Sequence, residues 1–169
     1  MILLVHLLFG AAIGSAIKNI YLAVILAFLS HYLLDILPHI EYPIENIEEK
    51  QWRKAMPDIL RVALDFCLGI LLILILSKNQ PIIYICAFLA ILPDGFTVLH
   101  YLAPNKILKI HNKLHEKIHF LKYSPSQIPQ SGNFSREKLF DRVKKISTFW
   151  RIFSQVAVVI ISIILLIKY

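Results

Sequence analysis

Five apolar runs, each close to the length that a bilayer requires, constrain this chain more than any other feature. They cover residues 1–17, 20–37, 59–77, 81–103 and 149–167. A helix of about 17–25 apolar residues crosses the hydrocarbon core of a membrane. Two connections are very short, because only Lys18 and Asn19 separate the first two runs and only Lys78–Gln80 separates the third from the fourth. The sequence therefore predicts two antiparallel helical hairpins followed by a final membrane helix.

The composition agrees with a membrane protein. Apolar residues make up 57% of the chain and the mean hydropathy is +0.66, whereas soluble domains are about 45–50% apolar. The first run has neither a basic segment before it nor an A-x-A-like cleavage site after it, so we do not expect a cleaved signal peptide. Cys67 and Cys86 both lie inside apolar runs, which favours buried small hydrophobes over a disulfide framework. The predicted fold class is an all-α integral membrane protein with about five transmembrane helices.

Two polar segments, residues 39–58 and 105–148, separate the hairpins and the last run. The second begins with KILKIHNKLHEKIHFLK, whose apolar residues recur at helical spacing and predict an amphipathic helix on the cytoplasmic membrane surface. SPSQIPQSGN then breaks the chain, and SREKLFDRVKKIS predicts another amphipathic helix. We therefore divide the chain into a membrane-embedded helical domain (1–122), a cytoplasmic linker with an amphipathic helix (123–148) and a C-terminal transmembrane helix (149–169).

Basic residues set the predicted orientation. Lys18, Lys78 and Lys168 lie on one side of the membrane, and the other 15 of the 18 Lys and Arg residues lie on the opposite side or at its boundary. Because cytoplasmic loops carry the excess of Lys and Arg, we expect a multi-pass protein of the cytoplasmic (inner) membrane with its N-terminus and polar segments in the cytoplasm. The same excess accounts for the pI of about 9.5, so nucleic acid is not a predicted partner. The predicted partners are the lipid bilayer and anionic lipid headgroups.

Ionisable side chains inside the apolar runs are a second constraint. His31 and Asp35 are four residues apart in AVILAFLSHYLLDILPH, so a helix places them side by side on one face. A carboxylate at the centre of a membrane helix costs roughly 2.5–3.5 kcal/mol on insertion scales, so these groups require partners. In the predicted topology all seven histidines lie towards the cytoplasmic face. Five groups from four helices lie roughly 5–13 Å from the cytoplasmic helix ends: His6, His31, Asp35, Asp65 and Asp94.

Small residues indicate which way this polar layer faces. Gly10 and Gly14 follow His6 at four-residue steps, a GxxxG pattern that lets membrane helices pack closely. Gly69 likewise follows Asp65 by four positions. We therefore expect the His and Asp side chains to point towards one another and away from lipid.

Two accounts of the polar layer are compatible with the sequence. One is a set of structural ion pairs and hydrogen bonds, with Arg61 within helical reach of both Asp58 and Asp65. The other is a metal site, because imidazole and carboxylate groups bind zinc and similar ions. Residue pairs at i and i+4 that suit metal binding are His31/Asp35, His111/His115 and His115/His119. The number of such groups at one depth favours a site for a divalent metal, with zinc as the first candidate.

Three motifs within residues 1–120 resemble a known family. VHLLFG, SHYLLDILPH and ILPDG are together similar to small bacterial inner-membrane proteins assigned as metal-dependent hydrolases, which in motif style are distantly similar to zinc-dependent phospholipases C. The resemblance implies a membrane-embedded site with four ligands: His6, His31, Asp35 and Asp94. The family pattern has a second acid after Leu-Pro-Asp, where this chain has Gly95 and Phe96, and a His-Arg…Thr-His segment that is missing here. His111, His115 and His119 could substitute for that segment, and we take His111 and His115 as further candidate ligands.

The expected activity is hydrolysis of a phosphoester or lipid-like substrate at the cytoplasmic membrane face. A bound metal ion would supply a hydroxide nucleophile, and Lys109, Lys113 and Lys117 would favour an anionic substrate. Asp65 is the predicted general base, as the acid of the layer that is not a metal ligand. The alternative is a non-catalytic membrane protein: a degenerate family member, an ion- or proton-handling protein, or a structural component. The outer half of every predicted helix lacks ionisable groups, which argues against a proton path across the bilayer.

Overall fold

The computed structural model of the chain describes residues 3–37, 39–40, 46, 51–118 and 135–169, with the backbone alone for residues 116 and 135–147. Within these residues all regular elements are α-helices. In chain order they are α1 (Leu3–Ala16), α2 (Ile20–Asp35), α3 (Trp52–Leu76), α4 (Pro81–Leu102), α5 (Lys106–Ile118) and α6 (Ser135–Lys168). The predicted all-α class is confirmed.

Three of these helices are long and apolar enough to cross a membrane. They are α3, α4 and the Thr148–Lys168 part of α6. The apolar helices α1 and α2 have 14 and 16 residues, which is shorter than the about 20 residues that a spanning helix needs. The prediction of membrane helices is therefore confirmed for three of the five apolar runs, and the five-span topology stays a prediction.

Local signals account for the short connections between helices. Asn19 caps α2, because its side-chain oxygen accepts a hydrogen bond from Leu22 N at 3.1 Å. Pro81 is the first residue of α4. A backbone N–H at this position has no partner within the helix, so proline fits there without the loss of a hydrogen bond. Asn79 has a positive φ of 54°, a conformation that asparagine tolerates. Its side-chain amide donates to Leu74 O at 3.2 Å and satisfies a carbonyl at the end of α3.

The central helix of the fold is α1. It packs against α2, α3, α4 and α6, and its most extensive contact is with α4. The predicted hairpin partners α3 and α4 both pack on α1 and have little contact with each other. The short link between α3 and α4 is confirmed, but the two helices pack on α1 and hardly on each other. The main apolar core lies along α1 and contains the buried residues Leu7, Leu8, Ala11, Ala12, Ile73, Ile83, Ala87 and Leu166.

Gly10 and Gly14 permit the close approach of α1 to α4. A Cβ atom at position 10 would lie 2.5 Å from Ala90 Cβ and 2.6 Å from Cys86 O. A Cβ atom at position 14 would lie 3.0 Å from Cys86 Cβ. The distances at position 10 are shorter than non-bonded atoms allow, so a side chain fits there only if the helices move apart. The predicted role of the GxxxG face in close helix packing is confirmed.

Replacing Gly10 with valine is expected to destabilise the fold by about 1–3 kcal/mol, because the added atoms overlap with α4. Thermal unfolding of the purified protein in detergent, followed by helical circular dichroism, measures the effect. Gly95→Ala is the matched control, since a Cβ atom at position 95 meets no atom within 4 Å. An equal loss of thermal stability in both variants would contradict this packing.

Two helices extend further than predicted. The first, α3, begins at Trp52, ahead of the apolar run, and continues through Pro57. The second, α6, joins the predicted amphipathic stretch and the last apolar run into one helix of 34 residues. The predicted boundary between residues 148 and 149 therefore lies inside a continuous helix, and residues 123–134 of the predicted linker lie outside the described residues.

Helix α5 turns a polar face towards the bundle and an apolar stripe away from it. Its buried residues are Leu108, Asn112 and His115. Its apolar stripe consists of Ile107, Ile110 and Leu114, whose side chains are 77%, 63% and 54% exposed. The predicted row of Lys109, Lys113 and Lys117 is exposed as well. The amphipathic character predicted for this segment is confirmed, and the helix packs on α4 and α2.

Candidate metal centre

Five ionisable side chains from four helices meet inside the bundle. His6 comes from α1, His31 and Asp35 come from α2, Asp94 comes from α4 and His115 comes from α5. We call this group the polar centre. All five residues are among the predicted metal ligands, so the structure brings together five of the six.

The tightest part of the polar centre is a triangle of two imidazoles and one carboxylate. His31 Nε2 and His115 Nε2 are 3.0 Å apart, and each lies 3.1 Å from Asp35 Oδ2. Asp94 Oδ1 is 3.5 Å from His31 Nε2 and 3.6 Å from His115 Nε2. His6 Nε2 joins the group at 3.4 Å from Asp35 Oδ1.

These separations fit the spacing of ligand atoms around one small divalent ion. Zinc–ligand bonds of about 2.0–2.1 Å place neighbouring tetrahedral ligand atoms roughly 3.3–3.4 Å apart. The six contacts described above run from 3.0 to 3.6 Å. Two sets of ligand atoms lie close enough together to hold an ion: His6, His31 and Asp94 in one, and His31, Asp35 and His115 in the other.

The hydrogen-bond partners of Nδ1 determine how the rings of His31 and His115 face the polar centre. His31 Nδ1 lies 2.8 Å from the backbone oxygen of Ala90, so it carries a hydrogen and donates to that carbonyl. His115 Nδ1 lies 3.3 Å from Thr97 Oγ1, and the Thr97 hydroxyl itself donates to Pro93 O at 3.4 Å. In the neutral rings both Nε2 lone pairs then face the polar centre. Metal-binding histidines are oriented in this way by partners on their other nitrogen.

The electrostatics of the polar centre favour a positive charge among these atoms. Two imidazole lone pairs and a carboxylate oxygen lie within 3.1 Å of one another in a buried space, where repulsion is weakly screened. A single proton bridges one pair of these atoms, whereas a divalent cation is shared by all of them. His6 is fully buried, and neither of its ring nitrogens has a hydrogen bond among the described residues. A buried polar group left in this state costs about 1–3 kcal/mol.

The polar centre opens at Asp94. The side chains of His6, His31, Asp35 and His115 are at most 5% exposed, whereas that of Asp94 is 31% exposed. Among the described residues of the polar centre, Asp94 is therefore the one most open to its surroundings.

Comparisons with known proteins found no relative of the chain. No protein-family model, no curated protein and no solved structure matches it. The chemistry of the polar centre therefore has to be inferred from its own side chains.

Asp65, the predicted general base, does not join the polar centre. It lies on α3 and accepts a hydrogen bond from Leu4 N at 2.8 Å, in the first turn of α1. There its carboxylate satisfies a backbone N–H that has no partner within the helix. Arg61 pairs with Asp58 at 2.9 Å. The described residues show no contact between Asp65 and the polar centre, because α3 brings this carboxylate to the beginning of α1.

His111, the sixth predicted ligand, borders the polar centre but belongs to neither candidate ligand set. Its Nε2 lies 3.0 Å from the hydroxyl of Tyr32, within hydrogen-bond distance. Its ring stacks on His115 and meets Phe96 edge to face. Burial lowers the pKa of His111, and the neighbouring imidazoles lower it further. His119 lies outside the described residues.

Sequence reasoning missed three groups that surround the polar centre. They are the Tyr32 hydroxyl, the Thr97 hydroxyl and the backbone carbonyl of Ala90. The available signal for the two hydroxyls was their position, since Tyr32 lies three residues before Asp35 and Thr97 lies three residues after Asp94. A hydroxyl one turn from a candidate ligand is within reach of the same site.

Proposed function

We propose that the chain is a membrane-bound metal-dependent hydrolase that cleaves a phosphoester or lipid-like substrate at the cytoplasmic membrane face. The observation that carries this proposal is the triangle of His31 Nε2, His115 Nε2 and Asp35 Oδ2, with sides of 3.0–3.1 Å. His6 and Asp94 each contact one member of the triangle, at 3.4 Å from Asp35 and 3.5 Å from His31, and together with His31 they form the second candidate ligand set. Zinc is the first candidate, because imidazole nitrogen and carboxylate oxygen are ligands that it prefers.

The polar centre suits one ion better than two. His31 is common to both candidate ligand sets, and its second ring nitrogen is engaged with the Ala90 carbonyl. It therefore has one nitrogen to offer and cannot bridge two ions. We expect a single divalent ion per chain.

The proposed reaction is hydrolysis, for which the ion would supply a hydroxide near neutral pH. The oxygen of water forms a bond to phosphorus, the phosphorus–oxygen bond to the leaving alcohol breaks, and that alcohol takes up a proton. Asp94 is the carboxylate at the open edge of the polar centre. The incoming water would therefore enter beside Asp94, whereas Asp65 binds Leu4 N at the beginning of α1 and shows no contact with the polar centre among the described residues.

The proposed setting is the cytoplasmic (inner) membrane, with five spans and the N-terminus in the cytoplasm. The three helices of spanning length support a membrane location. His6 lies in the first turn of α1 and Asp35 is the last residue of α2, so the polar centre lies at one end of both short helices. The exposed lysines of α5 belong to the helix that covers this end, in keeping with the positive-inside rule.

A non-catalytic membrane protein is the second candidate. The carboxylate of Asp35 lies 3.1–3.4 Å from three imidazoles. A buried network of ion pairs with protonated histidines would adopt the same geometry. In that case the polar centre holds four helices together and binds no stoichiometric metal, as in a degenerate hydrolase or a structural component.

Metal analysis of the purified full-length protein separates the two candidates. We expect about one zinc ion per chain and its loss in the double variant His31→Ala/Asp35→Ala. Asp65→Asn is the matched control, because it alters a carboxylate outside the polar centre and keeps an acceptor for Leu4 N. It should retain both the metal and the hydrolytic activity. A parent protein without stoichiometric metal would overturn the hydrolase proposal and favour the ion-pair network.

A further inference from the structure

We propose that an anionic membrane surface holds α5 against the bundle and thereby controls metal binding at the polar centre. This inference rests on the metal site of the proposed function and adds to it a means of regulation. It is carried by the position of α5 beside α4 and by the side of α5 that faces away from the bundle. That side combines the exposed apolar stripe with the exposed lysine row.

Helix α5 lies at the level of the membrane surface. The 22 residues of α4 form a helix about 33 Å long, so its ends lie at the two surfaces of a hydrocarbon core of about 30 Å. His115 of α5 contacts Thr97 and Asp94, which lie five and eight residues before Leu102, the last residue of α4. These positions are roughly 7 and 12 Å inside the end of α4. Helix α5 therefore folds back beside α4 and lies in the membrane interface.

The bundle covers only a small part of the apolar surface of α5. Among the described side chains of this helix, Leu108 is the buried apolar one, whereas Ile107, Ile110 and Leu114 are exposed. An isolated helix of 13 residues is only marginally stable in water. Helix α5 therefore needs a second apolar surface, and at the depth of the interface the lipid chains supply it.

The outer side of α5 has the arrangement of an interfacial helix. At about 100° per residue, the apolar stripe and the lysine row each lie about 130° from the buried face of Leu108, Asn112 and His115, and about 90° from each other. The apolar side chains then reach the acyl chains while the neighbouring lysines reach the headgroup phosphates. Basic residues at a membrane surface attract anionic lipid, so the partner that fits this side is an anionic bilayer surface.

Contact with this surface affects the polar centre, because the same helix supplies His115. The Nε2 atom of His115 lies 3.0 Å from that of His31 only while α5 is helical and packs on α4 and α2. A surface that holds α5 in place reduces the conformational freedom that is lost when the metal binds. The two events are then coupled, so an anionic surface tightens metal binding and metal binding strengthens the contact with the surface.

The test measures the zinc affinity of the full-length protein in nanodiscs of phosphatidylcholine with and without phosphatidylglycerol. Competition with a chromophoric chelator gives the affinity. Because an anionic surface also concentrates free zinc ions, the effect of phosphatidylglycerol is compared between variants. We expect phosphatidylglycerol to increase the affinity of the parent at least about fivefold more than the affinity of the triple variant Lys109→Gln/Lys113→Gln/Lys117→Gln.

Lys18→Gln/Lys78→Gln/Lys168→Gln is the matched control, because it removes the same charge from exposed positions outside α5. It should respond to phosphatidylglycerol as the parent does. An equal response of the parent and the α5 lysine variant would overturn control by the membrane surface.

A second variant, Ile107→Ser/Ile110→Ser, tests the apolar stripe. We expect it to weaken zinc binding more in the anionic nanodiscs than in the neutral ones. Equal weakening in both kinds of nanodisc would mean that protein, and not lipid, covers the stripe, and would also overturn the inference. Zinc binding that ignores lipid charge leaves the proposed function standing, whereas a parent that binds no zinc in either nanodisc overturns the metal-dependent function itself.

Discussion

Replacing His115 with alanine is expected to lower the metal affinity of the protein more than about 100-fold and to abolish metal-dependent hydrolysis. His115 is the contribution of α5 to the polar centre, and its Nε2 lies 3.0 Å from His31 Nε2 and 3.1 Å from Asp35 Oδ2. The substitution removes one corner of the triangle on which the proposed function depends. Competition with a chromophoric chelator measures the affinity, and release of the alcohol product measures hydrolysis.

His111→Ala is the matched control for this substitution. His111 lies one turn from His115 on the same helix and stacks on it, with ring centroids 5.7 Å apart. Its Nε2 is hydrogen-bonded with the Tyr32 hydroxyl, so we expect its loss to change the metal affinity less than about tenfold. If both variants lose the metal equally, α5 contributes through packing and not through a ligand. If His115→Ala keeps full affinity, His115 is not a ligand.

Much of the helical frame follows from signals within one or two turns of the chain. Asn19 and Pro81 mark the beginnings of α2 and α4, and Gly10 with Gly14 marks the face of α1 that contacts α4. Each of these features depends on residues that are neighbours in sequence. Spacing in the sequence is therefore sufficient to predict them.

The membership of the polar centre could be predicted only in part. His31 and Asp35 lie 3.1 Å apart because they are i and i+4 on one helix. Asp65 has a similar predicted depth, yet it binds Leu4 N at the beginning of α1. Depth along a helix does not determine which helices lie beside it. The same reason explains why α3 and α4, despite their short link, pack on α1 and hardly on each other.

Helix α5 shows a second reason why the candidate site could not be fully predicted from the sequence. Its pattern identifies the apolar stripe correctly, but that stripe is exposed, and the buried face carries Asn112 and His115. A polar face beside a row of lysines has the pattern of a solvated surface. Contacts of His115 with Thr97 and Asp35, which come from other helices, turn this face towards the bundle. Such contacts are tertiary and leave no periodic trace in the sequence.

The polar face of α5 leads to the other prediction with a large expected effect, which is that removal of the metal releases α5 from the bundle. Among the buried side chains described for α5, Leu108 is the apolar one, and burying one leucine contributes about 1.5–3 kcal/mol. His111, Asn112 and His115 add polar side chains to this contact. Without an ion, a single proton bridges only one pair of the three atoms of the triangle, so docking of α5 loses part of its attraction.

Hydrogen–deuterium exchange in nanodiscs, with and without a chelator, measures this release. We expect the amides of α5 to exchange at least about tenfold faster after chelation, while the amides of α1 and α4 keep their protection because their contact is apolar and close-packed. In the His115→Ala variant, α5 should exchange rapidly whether or not chelator is present. Unchanged protection of α5 in metal-free parent protein would contradict the prediction. It would also favour the non-catalytic candidate, because a network of ion pairs holds α5 in place without any ion.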